Sequence, residues 1–115
     1  MEIRGLKYRN IKAEYNGDVY DSRKEMRRAW ALDMLVRCGR IKFLERQKRF
    51  ILQDGYVTRD GRKIRPISYI ADFVYYDNDK KSWVVEDVKG VRTDVYRLKR
   101  KMFEFRYPEY LFLES

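Results

Sequence analysis

Histidine is missing from this sequence, and Cys38 is its one cysteine. Without histidine there can be no Ser/His or Cys/His triad, no HNH style of nuclease and no His-rich zinc site. A single cysteine excludes an intramolecular disulfide and any cysteine-based metal cluster. Hydrolytic chemistry is therefore left to carboxylates and lysine, and carboxylates select hard cations such as magnesium or manganese. Prolines number two and glycines six, with no repeat, low-complexity stretch or linker between domains. No apolar run approaches the ~18 residues of a spanning helix. The opening "MEIRGLKYRN" lacks the apolar core of a signal peptide. The expectation is a soluble protein of the cytoplasm.

What is present is positive charge and aromatic surface. Lys and Arg number 27 against 18 Asp and Glu, a net of +9, and ten of the residues are tyrosine. That balance favours a polyanionic partner, with nucleic acid the first candidate. The length of 115 residues suits one domain with one core. Residues 1–12 read as a basic N-terminal arm carrying Arg4, Lys7, Arg9 and Lys12, or alternatively as an edge strand.

Asn16-Gly17, between short tyrosine-containing runs, predicts a tight hairpin. A helix follows: Ser22 and Glu25 fit an S-x-x-E capping box, and Met26, Ala29, Trp30 and Met34, with Leu32, Leu35 and Val36 adjacent, give it a wide apolar face that Gly39 ends. "IKFLERQKRFIL" reads as a strand or strand pair, Asp60-Gly61 as a second hairpin turn, and "RPISYIADFVYY" as a long strand. After "DNDKK" turns the chain, "SWVVEDVKG" is a short valine-rich strand. Thr93 caps a second helix in which Val95, Leu98, Met102 and Phe105 recur at helical spacing. Pro108 ends that helix, and "YLFL" is a final strand. The predicted fold is α/β, a mixed sheet flanked by helices, with core order α-β-β-β-α-β after an N-terminal hairpin.

Three acids, Asp72, Glu86 and Asp87, stand in or beside the most apolar strands, where a carboxylate is costly to bury. Strand alternation separates them. Asp87 and Lys89 share a face with Val85, whereas Glu86 shares the other with Val84 and Val88 and reads as a salt-bridge partner. A hairpin across "DNDKK" brings Asp72 alongside Asp87, and a divalent cation between them would remove their repulsion. Glu25 starts a stripe continued by Ala29, Leu32 and Val36, so it too points inward.

The spacing D-x(14)-D-V-K, Asp72 to Lys89, resembles the signature of the PD-(D/E)XK nuclease superfamily. The runs "YNGDVYDSRKE", "LERQKRFIL", "YIADFVYY" and "VVEDVKGVRTDVYRLKRKMF", from about residue 15 to 107, are similar to a family of small phage and prophage proteins within it. Ala71 stands where the superfamily name has proline. The resemblance implies a magnesium-dependent DNA endonuclease in which manganese can substitute. Its substrates would be Holliday junctions or other branched DNA, and it would act as a homodimer in the host cytoplasm. By position it assigns Asp72, Asp87 and Lys89 to catalysis, with Glu25 as the helix acid, and gives the metal to Asp72, Asp87 and Glu25. Gln47 falls at the site's edge, and Lys99 is a candidate for phosphate. The other reading is a non-catalytic basic nucleic-acid-binding module, which does not explain Asp72, Asp87 and Lys89.

Overall fold

The computed structural model describes residues 12–88 and 91–115. Lys89 and the arm residues Arg4, Lys7 and Arg9 lie outside the described residues. The chain folds as an α/β domain with a mixed sheet and two helices. Strands β1 (Ala13–Tyr15) and β2 (Asp18–Tyr20) form the first hairpin, and α1 (Arg23–Arg37) follows. Asn16 and Gly17 both take left-handed backbone (φ 53° and 84°), the pairing that a two-residue hairpin turn requires. Ser22 caps α1 by accepting the backbone N–H of Glu25 at 3.1 Å, and Gly39 (φ 72°) closes its far end.

Strand β3 (Ile41–Gln53) is one continuous strand. The short hairpin β4 (Tyr56–Val57) and β5 (Lys63–Ile64) then leads to β6 (Ile67–Asp77) and β7 (Ser82–Asp87). Helix α2 (Asp94–Arg106), capped by Thr93, returns the chain to β8 (Tyr110–Glu114). The main sheet runs β3-β6-β7-β8, with antiparallel pairs except for parallel β7 and β8. The right length for that parallel return is supplied by α2.

Each face of the sheet has its own core. One gathers Phe50, Leu52, Tyr69, Ala71, Val74, Val85 and Phe112 under Tyr96 and Phe103 of α2. The other gathers Ile41, Phe73, Tyr75 and Val84 under Ala29 and Leu32 of α1, with Tyr20. Side-chain alternation along β6 therefore changes phase around Asp72: Tyr69 and Ala71 face α2, but so does Val74, while Phe73 and Tyr75 face α1. Opposite Asp72, Gln47 of β3 has a left-handed backbone, φ 53°.

Two sequence expectations need correction. In α1, Trp30 and Val36 are exposed, so the buried stripe is Glu25, Ala29 and Leu32. In α2 the difference is larger. Val95, Leu98 and Phe105 point to solvent, Phe105 being 89% exposed, and Tyr96 and Phe103 fill the core instead. Both faces of α2 are apolar, and periodicity alone cannot say which one meets the sheet.

Candidate functional site

The site forms where the phase of β6 changes. Asp72 reaches past the end of β7, and one of its carboxylate oxygens accepts the backbone N–H of Val88 at 2.8 Å. Its other oxygen accepts from the Gln47 side-chain amide at 3.4 Å. The same amide nitrogen donates to Glu25 at 3.2 Å. Glu25 projects inward from the first turn of α1 and is 5% exposed. Arg46, stacked 3.8 Å over the Tyr20 ring, brings a guanidinium nitrogen to 3.7 Å from the Glu25 carboxylate. Burial, and then the charge of Asp72, raise the Glu25 carboxyl above its ordinary range, with Arg46 opposing them. Two carboxylates thus share one amide, and the charge of Asp72 adds to burial in disfavouring the ionised form of Glu25.

Glu86 and Asp87, adjacent on β7, diverge as strand alternation demands. Glu86 faces α1, where Arg28 makes a two-point contact through Nε and, at 3.0 Å, through Nη2. Tyr75 donates to the same carboxylate at 2.7 Å. Burial works against ionising Glu86, but hydrogen bonds from Arg28 and Tyr75 outweigh it and hold the carboxyl below its usual range. Its expected role as a salt-bridge partner is the one the structure gives it.

Asp87 faces α2 and is 1% exposed, with the Tyr69 hydroxyl donating to it at 2.8 Å. Burial first, and then Asp87, push the Tyr69 hydroxyl far above its ordinary range, so it remains a proton donor. The convergence expected of Glu25, Asp72 and Asp87 is met by the first two. Asp87 is turned toward Tyr69, and among the described residues no three Asp, Glu, His or Cys side chains are grouped so as to hold a metal ion.

Gln47, placed at the edge of the site from the sequence, is instead its bridge. Lys99 lies in a groove of 320 Å³ lined by Ser68, Tyr69, Ile70, Thr93, Val95 and Tyr96, so the residue that holds Asp87 also lines the space Lys99 enters. Lys12 is exposed, 3.9 Å from Asp21. Arg46 and Tyr69 were not singled out from the sequence. Arg46 adjoins Gln47 in "LERQ", but only the phase change in β3 explains why both side chains serve the same acid.

A family match spans nearly the whole chain, covering residues 5–113, and its description is Protein of unknown function (DUF1064). The chain belongs to this family. No curated protein and no solved structure matches it. In this DUF1064 protein the Asp72 carboxylate is met by the Gln47 amide and the Val88 N–H, with Glu25 on the same amide. Carboxylate oxygens suit hard divalent cations better than zinc, which prefers nitrogen and sulfur. No helix among the described residues is long and apolar enough to cross a membrane.

Proposed function

We propose that this protein is a magnesium-dependent DNA endonuclease of the PD-(D/E)XK type, acting on Holliday junctions or related branched DNA. The observation that carries the reading is the hydrogen bond from Val88 N–H to Asp72. Val88 is the middle residue of the D-V-K segment, so the two halves of the motif, far apart in sequence, meet in space beside Glu25. The order of elements, α-β-β-β-α-β once the two hairpins are set aside, supports the same assignment.

Glu25 and Asp72 would hold the cation, with Asp87 beside them; an ionised carboxylate accepts several hydrogen bonds or ligands, so the bond from Tyr69 does not exhaust it. A magnesium ion there would neutralise charge on the scissile phosphate and lower the pKa of a bound water. Lys89, two residues beyond Asp87, would orient that water or stabilise the developing charge. Manganese should substitute. The basic surface would bind phosphate regardless of sequence, leaving DNA shape as the main selector.

Two copies would join through the outer face of α2. On it Val95, Leu98 and Phe105 are exposed, and half-buried Met102, which also packs against the core, completes the three-four-three spacing of a coiled-coil seam, which reads alike in both directions. An antiparallel pairing about a twofold axis would set Val95 against Phe105 and Leu98 against Met102.

The test is cleavage of a labelled four-way junction and of a linear duplex, with magnesium and with chelator. Cleavage should require metal and favour the junction. Asp87→Asn and Lys89→Ala should abolish it without unfolding the protein. Binding without cleavage under every metal condition would return the protein to the basic-module reading.

A further inference from the structure

At the opposite end of the sheet from Asp72, aromatic side chains form a row across all four strands. Register pairs Lys42 with Tyr76, Tyr76 with Trp83 and Trp83 with Tyr110. The rings touch: Tyr76 meets Trp83 edge-on at 5.5 Å and Trp83 lies 6.3 Å from Tyr110. Phe43, from the edge strand β3, stacks over Trp83 at 5.8 Å with an interplanar angle of 24°. This row is not sealed like the core, because Tyr76, Trp83 and Tyr110 are half-buried and Phe43 is 62% exposed.

Phe43 also has an unfavourable backbone. Its φ of 59° lies in the left-handed region, where a bulky side chain is a clear outlier, and the strand register slips between Lys42 and Glu45. Such a conformation costs of the order of a tenfold or greater shift in a folding equilibrium, and strain of this kind clusters at functional sites. The outcome here is an aromatic ring held up in solvent. The Lys42 ammonium lies 5.3 Å from the Phe43 ring and 5.2 Å from the Tyr76 ring. Asp77 and Asp79 in the neighbouring turn are engaged by Lys80 and Arg40, so they leave Lys42 and Lys81 uncancelled among the described residues.

We infer that Phe43, Trp83 and Tyr76, with Lys42, form a platform that stacks an unpaired base of a nucleic-acid strand. Flat ring faces take any base, and the ammonium groups balance the adjoining phosphates. Duplex DNA keeps its bases paired and cannot use the platform, so it responds to single-stranded segments only. Trp83 lies about 13 Å from Asp87 along β7, at ~3.3 Å per residue, and on the same face of the strand. The inference rests on the nucleic-acid part of the proposed function and is independent of catalysis.

The experiment uses Trp83 as its own reporter. Trp30 is the other of the two tryptophans and is exposed, so Trp30→Phe leaves a single-tryptophan protein. With chelator present to prevent cleavage, a short oligothymidylate should quench Trp83 fluorescence in a saturable manner. An abasic strand of equal charge should not. Phe43→Ala should weaken single-strand affinity about tenfold and leave duplex affinity unchanged. Phe43→Gly serves as the second variant: it should lose the same affinity while melting at a higher temperature than wild type, because glycine accepts the left-handed backbone. Equal quenching by abasic strand, or unchanged single-strand affinity in both variants, would overturn the platform. Duplex binding in the same buffer reports separately on the nucleic-acid reading, and metal-dependent cleavage on the nuclease reading.

Discussion

The side-chain amide of Gln47 stands between the carboxylates of Glu25 and Asp72, 3.2 Å from one and 3.4 Å from the other. It does so from a left-handed backbone in mid-strand, φ 53°. Gln47→Ala removes the amide and keeps the strained conformation, whereas Gln47→Gly removes both. The glycine variant should therefore be more stable than the alanine variant by about 1 kcal/mol in urea unfolding. Equal stability would mean that the conformation at Gln47 carries no strain.

The raised carboxyl of Glu25 fixes a sign for pH dependence. Below its ordinary value of 4.5 the group is protonated in both folded and unfolded chains. Between that value and the higher folded one the native state binds more protons, so this group's contribution to stability falls as pH rises. Glu25→Gln should flatten the decline in melting temperature between roughly pH 4.5 and neutrality. A mutant profile parallel to wild type would remove Glu25 from the cause.

Divalent metal should reverse the same penalty. Manganese or magnesium should raise the melting temperature more at pH 8 than at pH 5, because protons compete for the raised carboxyl of Glu25. At about one hundred times the dissociation constant the gain should be ~2.7 kcal/mol. Asp72→Asn keeps an acceptor oxygen for Val88 N–H but removes a charge, and should abolish most of that gain. An Asp72→Asn protein that responds to metal as wild type does would exclude Asp72 as a ligand.

Glu86 and Arg28 give a contrasting prediction. Removing half-buried Arg28 strands the buried carboxylate of Glu86, so Arg28→Ala should destabilise the protein by about 3 kcal/mol in chemical unfolding. Replacing both by leucine should recover most of the loss. Chemistry should not depend on the pair: at temperatures where the variant remains folded, its cleavage rate should equal wild type's.

The outer face of α2 predicts an oligomer. Leu98→Glu or Phe105→Glu should convert a dimer to a monomer in sedimentation velocity, with little change in melting temperature of the monomer, since neither side chain is buried. A wild-type chain that sediments as a monomer at high concentration would refute the pairing.

Much of this architecture was legible in local chemistry. The Asn16-Gly17 turn, the Ser22 cap, the Gly39 stop and the opposite facing of Glu86 and Asp87 each follow from a short-range rule, and each is present. The rest depended on long-range geometry. Period two assumes an unbroken strand, and it fails at Asp72, where β6 changes phase opposite Gln47; the buried neighbours of Asp72 are consequently not those alternation would give it. Likewise α2 offers two apolar faces, and aromatic packing of Phe103 against Phe50, Tyr69 and Phe112 decides which is inward.

Strand β7 carries a further consequence for how the chain finds its fold. Val84 and Val85 are both fully buried, on opposite faces, so apolar burial alone scarcely distinguishes the correct pairing from one displaced by a single residue. Glu86 and Asp87 break that degeneracy. A one-residue slip would deliver Asp87 to the Arg28 side and Glu86 to the hydroxyl of Tyr69, exchanging an ion pair for a mismatch on both faces at once. The two acids thus act as a key whose teeth fit only one alignment at the centre of the sheet.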